Sequence, residues 1–106
     1  MAQKEVVRIL KEFHKAIEKE GIPVAKMVLY GSQATGRVRD DSDIDVAVIS
    51  PVFGKNRIMN GTRLFQIACG IDPRIEPIPL SVKEYERDTW LPLIYEIRTN
   101  GIEVTV

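Results

Sequence analysis

The stretch YGSQATGRVRDDSDIDVAV, Tyr30 to Val48, decides how this chain is read. Its second half runs on as DIDVAVIS, closed by Pro51, which predicts a β-strand over 43–50. Residues two apart in a strand point the same way, so Asp43 and Asp45 share one face while Ile44 and Val46 turn to the opposite, core side. Two carboxylates held side by side repel, and one pKa rises unless a cation lies between them. A divalent cation relieves that conflict, and hard oxygen ligands suit Mg²⁺ or Mn²⁺. Taken alone, Asp-x-Asp is better explained as two solvated aspartates at the start of an exposed strand. What precedes the pair shifts the balance. Gly31 and Ser32 fall at the end of an earlier strand, VAKMVLY (24–30), where glycine lets a backbone approach a ligand closely. Free N–H groups at the start of a following helical turn attract phosphate, and the Ser32 hydroxyl adds a donor.

Working outward, the pattern is that of one small domain, 1–106, with no repeat, linker or low-complexity tract. Val6, Leu10, Phe13 and Ile17 recur at helical spacing, predicting an amphipathic helix over 3–20 that stops at Gly21. A second helix is expected over about 56–69, weakened by Gly61, and a last one over about 89–99, with Pro92 in its first turn. RIEPIPLS alternates around Pro77 and Pro79; proline cannot donate to a ladder, so this is an edge strand. Ser81 can cap a short turn after it, and IEVTV can add a short final strand. The order of elements implies an α/β (α+β) domain with helices packed on a small mixed sheet.

Composition narrows the function classes. The chain is 44% hydrophobic and 28% charged, as ordinary globular domains are. No apolar run reaches the roughly 18–20 residues a membrane span needs, and the charged start lacks a signal peptide's apolar core. Fifteen basic and fifteen acidic residues cancel, so direct nucleic-acid binding, which calls for a basic excess, is not expected. The single Cys69 fits a reducing cytoplasm and is expected as a small buried hydrophobe in its helix. His14 is expected to be structural; Trp90 and Tyr95 are expected in the core or against a partner.

GSQATGRVRDDSDIDVAV resembles the signature of the nucleotidyltransferases related to DNA polymerase β, Gly-Ser followed some ten residues later by Asp-x-Asp. With Ala34, Gly36, Arg39 and Ser42 it resembles in particular the minimal nucleotidyltransferases, which are little more than a catalytic core. The resemblance is specific over 30–48 and extends weakly from about residue 24 through the last helix. It implies a nucleotidyltransferase fold and a third carboxylate on a neighbouring strand. The residue that answers is Glu76, where many relatives carry aspartate; Glu84, Glu86 and Asp88 lie in the polar turn beyond and answer less well. It further implies two Mg²⁺ ions (or Mn²⁺) held by Asp43, Asp45 and Glu76, with Gly31, Ser32 and Arg39 on the nucleotide phosphates. Such ions, about 3.5–4 Å apart, clamp an in-line displacement at phosphorus.

The resemblance also implies a partner. Minimal nucleotidyltransferases are commonly paired with a small helical HEPN-type toxin and transfer AMP from ATP to one of its tyrosines, acting as antitoxin. A chain of this length has little room for an acceptor-binding extension, which fits an acceptor delivered by a hetero-oligomeric partner. The alternative is a catalytically weak nucleotide-binding antitoxin that neutralises its partner by covering it. A small-molecule acceptor, such as an aminoglycoside, ranks below both. Arg74 is expected on the face of Glu76, touching phosphate or offsetting the carboxylates, while Lys55, Arg57 and Arg63 are expected on a solvated helix surface.

Overall fold

A computed structural model gives the fold and describes residues 4–36 and 43–105. Helix α1 (Lys4–Lys19) buries Val6, Ile9, Leu10, Phe13 and Ile17, the stripe its spacing predicts. Strand β1 (Lys26–Tyr30) follows, then the single turn α2 (Ser32–Thr35) and strand β2 (Ile44–Ile49). Helix α3 (Arg57–Cys69) crosses to strand β3 (Ile75–Leu80). Helices α4 (Val82–Arg87) and α5 (Pro92–Asn100) and the two-residue strand β4 (Ile102–Glu103) complete the chain.

The sheet order is β3-β2-β1-β4. β1 is antiparallel to β2 and β4, whereas β2 and β3 run parallel, joined by α3 as a βαβ unit. The sheet is therefore mixed and the α+β expectation holds. β3 is the expected edge strand, and its backbone polarity explains the prolines. Arg74 and Leu80 offer their carbonyls to Ile44 and Ser50, so the even-numbered residues bond inward to β2. The odd-numbered Pro77 and Pro79 direct their missing N–H groups to the open edge, where none is needed.

Both faces of the sheet are covered. Met27, Leu29, Ile44, Val46, Val48 and Ile75 pack with α1 and with Leu64 and Ala68 of α3. On the other face, Val28, Ala47, Ile49 and Leu80 pack with Ile94 and Ile97 of α5. β2 is thus apolar on both sides beyond Asp45, which is why it does not read as a clean alternation.

Several expectations need correction. Both predicted strands are shorter at their starts: Val24 and Ala25 precede β1, and Asp43 stands just before β2. The last helix starts at Pro92, because Leu91 is held extended (φ −74°, ψ 128°), as a residue before proline prefers. Cys69 is exposed. Trp90, 77% exposed, and Tyr95 are not core residues either; α5 turns Ile94 and Ile97 inward instead. His14, by contrast, is largely buried at the edge of its helix stripe, with Nδ1 3.6 Å from a Glu18 carboxylate oxygen.

Candidate active site

The strand register assembles the site. Tyr30 pairs with Asp45 across β1 and β2, and Asp45 pairs with Glu76 across β2 and β3. The three residues form one row on the α5 side of the sheet, at the end where β1 passes into the Gly31 turn. Asp43 stands exposed one step before β2. Of the predicted site residues, the structure therefore brings Asp43, Asp45 and Glu76 together, with Gly31 and Ser32 beside them. Arg39 lies outside the described residues.

Gly31 is required at its position twice over. Its backbone (φ 72°, ψ −148°) lies in the region that L side chains avoid. A Cβ there would stand 2.5 Å from Oδ2 of Asp45. The glycine turn and the carboxylate are thus in direct apposition. Gly31 also serves as the N-cap of α2 without a side-chain cap, and its carbonyl accepts the Ala34 N–H at 3.1 Å and the Thr35 N–H at 3.2 Å.

The electrostatics are those of crowded like charges. Partial burial raises the pKa of Asp45, the neighbouring Asp43 charge raises it further, and a hydrogen bond from Glu76 pulls it back. Glu76 is raised by desolvation, by Asp43 and Asp45, and by that same hydrogen bond. The Tyr30 phenol, desolvated and facing Asp45 and Glu76, is pushed up to about 12 and stays neutral. Among the described residues no ion pair joins a base to any of the three carboxylates. Arg74, expected near Glu76, bonds instead to Asp72 through Nε (3.1 Å) and Nη2 (3.0 Å), with Glu5 at 3.9 Å. Arg57 pairs with Glu84 and Arg63 donates to the Glu20 carbonyl, so both serve the helix surface as expected.

The donor set fits a hard divalent cation: all three groups are carboxylates, crowded and short of positive charge. Among the described residues, however, no three aspartate, glutamate, histidine or cysteine side chains are grouped closely enough to hold a metal ion together. Asp45 and Glu76 face each other, and Asp43 stands to one side.

Two residues of the site carry no signal in the sequence. Tyr30 joins it only through the register with Asp45. Gln33, in α2, is buried and donates through Nε2 to the Asp43 carbonyl at 3.4 Å.

Comparisons with known proteins bear on the fold and the family. A protein from Sulfolobus solfataricus put forward as a nucleotidyltransferase superposes with a TM-score of 0.67 at 16% identity, over 93% of this chain and 78% of that one. A toxin–antitoxin crystal structure with AMP-PNP gives a TM-score of 0.61 at 19% identity, over 93% of this chain and 72% of that one. At such identities these likenesses establish a shared fold. No curated protein matches the sequence significantly. The profile of the nucleotidyltransferase domain, in contrast, matches residues 4–104, taking in the glycine turn and all three carboxylates. On that match the chain belongs to the nucleotidyltransferase domain family.

Proposed function

We propose that this protein is a divalent-metal-dependent nucleotidyltransferase that moves AMP from ATP to a tyrosine hydroxyl of a small helical HEPN-type toxin, and so acts as its antitoxin. The observation that carries the reading is the carboxylate row itself. Asp45 and Glu76 are paired in register, with Asp43 beside them and a glycine turn against Asp45. Family membership supports the reaction class, and the shared fold with a toxin–antitoxin structure holding AMP-PNP supports the partner and the nucleotide.

In this reading the acceptor oxygen bonds to the α-phosphorus of ATP, the bond from that phosphorus to the bridging oxygen breaks, and pyrophosphate leaves. The acceptor proton leaves as that bond forms, and Glu76, the carboxylate paired with Asp45, is the group that would receive it. Asp43, Asp45 and Glu76 would hold two Mg²⁺ ions, or Mn²⁺, which supply charge neutralisation at the phosphates. Gly31 and Ser32, with Arg39 from outside the described residues, would hold the outer phosphates. Positioning and electrostatics account for most of such catalysis.

Incubating the protein with its partner, Mg²⁺ and ATP labelled at the α-phosphate should label the partner. Asp43→Ala/Asp45→Ala should abolish the labelling, and labelling that survives both changes would sink the assignment. The absence, among the described residues, of three such side chains grouped closely enough to hold a metal ion favours a second reading, an antitoxin that binds nucleotide but neutralises its partner by covering it. Silencing of the partner at equal stoichiometry without ATP would select that one.

A further inference from the structure

One side chain at the site is not explained by folding. Gln33 is 2% exposed, in the single turn between the glycine and the carboxylates. Its Nε2 makes one long hydrogen bond, 3.4 Å, to the Asp43 carbonyl. Its Oε1 is buried with no hydrogen-bond partner among the described residues. The orientation of the amide follows from its surroundings, since the reverse would set oxygen against oxygen. A buried polar group left unpaired costs about 1–3 kcal/mol, whereas a neutral hydrogen bond returns only about 0.5–1.5 kcal/mol. An apolar side chain of similar length would fill the space without that penalty.

The place where the one bond ends is informative. Asp43 precedes the β1–β2 ladder, whose last pair is Tyr30 with Asp45, so no strand neighbour on that side fixes it. The peptide linking Asp43 to Ile44 is held from two directions instead: the Ile44 N–H donates to the Arg74 carbonyl at 2.8 Å, and the Asp43 carbonyl receives Gln33. We infer that Gln33 is a positioning residue, which ties the glycine turn to that peptide and so fixes where the Asp43 carboxylate stands relative to Asp45. The inference rests on the metal-and-nucleotide reading above. It assigns the cost of the half-satisfied amide to function: the turn that faces phosphate and the carboxylate that faces metal are kept in one arrangement.

The test separates this role from packing, because the two predict opposite signs. Gln33→Met keeps the length and loses both polar ends; Gln33→Leu is the second variant should the first not fold. For each, the thermal midpoint is measured together with the Mg²⁺ concentration that gives half-maximal binding of a fluorescent ATP analogue. Asp45→Asn serves as the reference for loss of the metal site. The variants should melt at or above the wild-type temperature yet need about 10–100-fold more Mg²⁺, the range typical of groups that orient metal ligands. A lower midpoint with an unchanged Mg²⁺ requirement, while Asp45→Asn loses binding, overturns the inference and makes Gln33 a packing residue. An Asp45→Asn protein that binds the analogue with wild-type Mg²⁺ dependence removes the metal reading itself, and this inference with it.

Discussion

Two neighbouring rows on one face of the sheet are built to opposite rules. Tyr30, Asp45 and Glu76 form one; Val28, Ala47 and Ile78, two residues further along the same strands, form the next. The second row is apolar and lies under Ile94 and Ile97 of α5, with Ala47 fully buried. The first carries Asp45 and Glu76, and the glycine that opens the one-turn α2 stands against Asp45. One row holds the helix to the sheet. The other sets two carboxylates side by side, and burial together with their neighbouring charges raises the pKa of both. Stability and function are thus separated by about 7 Å along a strand, two residues of extended chain.

Moving the charge by one row is the severest way to test the contrast. Ala47→Asp would bury a carboxylate without a partner under α5 and should destabilise the fold by about 3–5 kcal/mol, read from urea midpoints. A variant of ordinary stability would mean that α5 does not seal that row. Gly31→Ala comes next: the strained φ alone is worth about 1–3 kcal/mol, and the added methyl would displace the Asp45 carboxylate. It should lose Mg²⁺-dependent ATP binding as well as stability, whereas a glycine needed only for the turn would lose stability alone.

Gly61 sharpens the same point by contrast. It lies inside α3, where a Cβ would meet Pro79 Cδ at an ordinary 3.8 Å. Gly61→Ala should therefore stabilise the protein by roughly 0.4–1 kcal/mol without touching nucleotide binding. The smallest effect expected is that of pH. The folded-state pKa values of Asp45 and Glu76 lie above their ordinary values, so the folded protein retains protons that the unfolded chain has released. Their contribution to stability is fully present below the ordinary carboxylate range and is lost as pH rises through the raised values. Urea midpoints over that window should fall with pH in the wild type and more shallowly in Asp45→Asn; equal slopes would show that the carboxylates do not interact. Both groups are partly solvated, so the difference should be a fraction of the roughly 1 kcal/mol that exposed charge pairs reach.

Much of this was legible beforehand, for identifiable reasons. Helix α1 was readable because Val6, Leu10, Phe13 and Ile17 share one stripe, and β3 as an edge because Pro77 and Pro79 admit little else. Asp43 and Asp45 stood out because carboxylates are rare where a strand should be apolar, and Glu76 because the resemblance implies a third carboxylate on a neighbouring strand. Tyr30 and Gln33 did not stand out. A tyrosine ending a strand and a glutamine in a turn are ordinary, and their roles depend on what the register sets opposite them. Cys69 was expected to be buried and is exposed, and of the two places expected for Trp90 and Tyr95 their exposure removes the core. Apolar character predicts burial only where another element arrives to cover it. Arg74 went to Asp72 because that carboxylate, two residues away, offers it a local pair.

By itself the sequence determined the main elements, the edge strand and the Gly-Ser and Asp-x-Asp motif. These follow from local periodicity, from the geometry of proline and glycine, and from the chemistry of carboxylates. Glu76 as third carboxylate was what the family resemblance implied. Only the tertiary structure decided that β2 and β3 run parallel with Asp45 opposite Glu76, and that Ile94 and Ile97 of α5 pack with Val28 and Ala47 of the next row. It alone decided that Gln33 reaches the peptide of Asp43. Register and coverage are relations between segments distant in the chain, and no local pattern encodes which residues will face each other across a ladder.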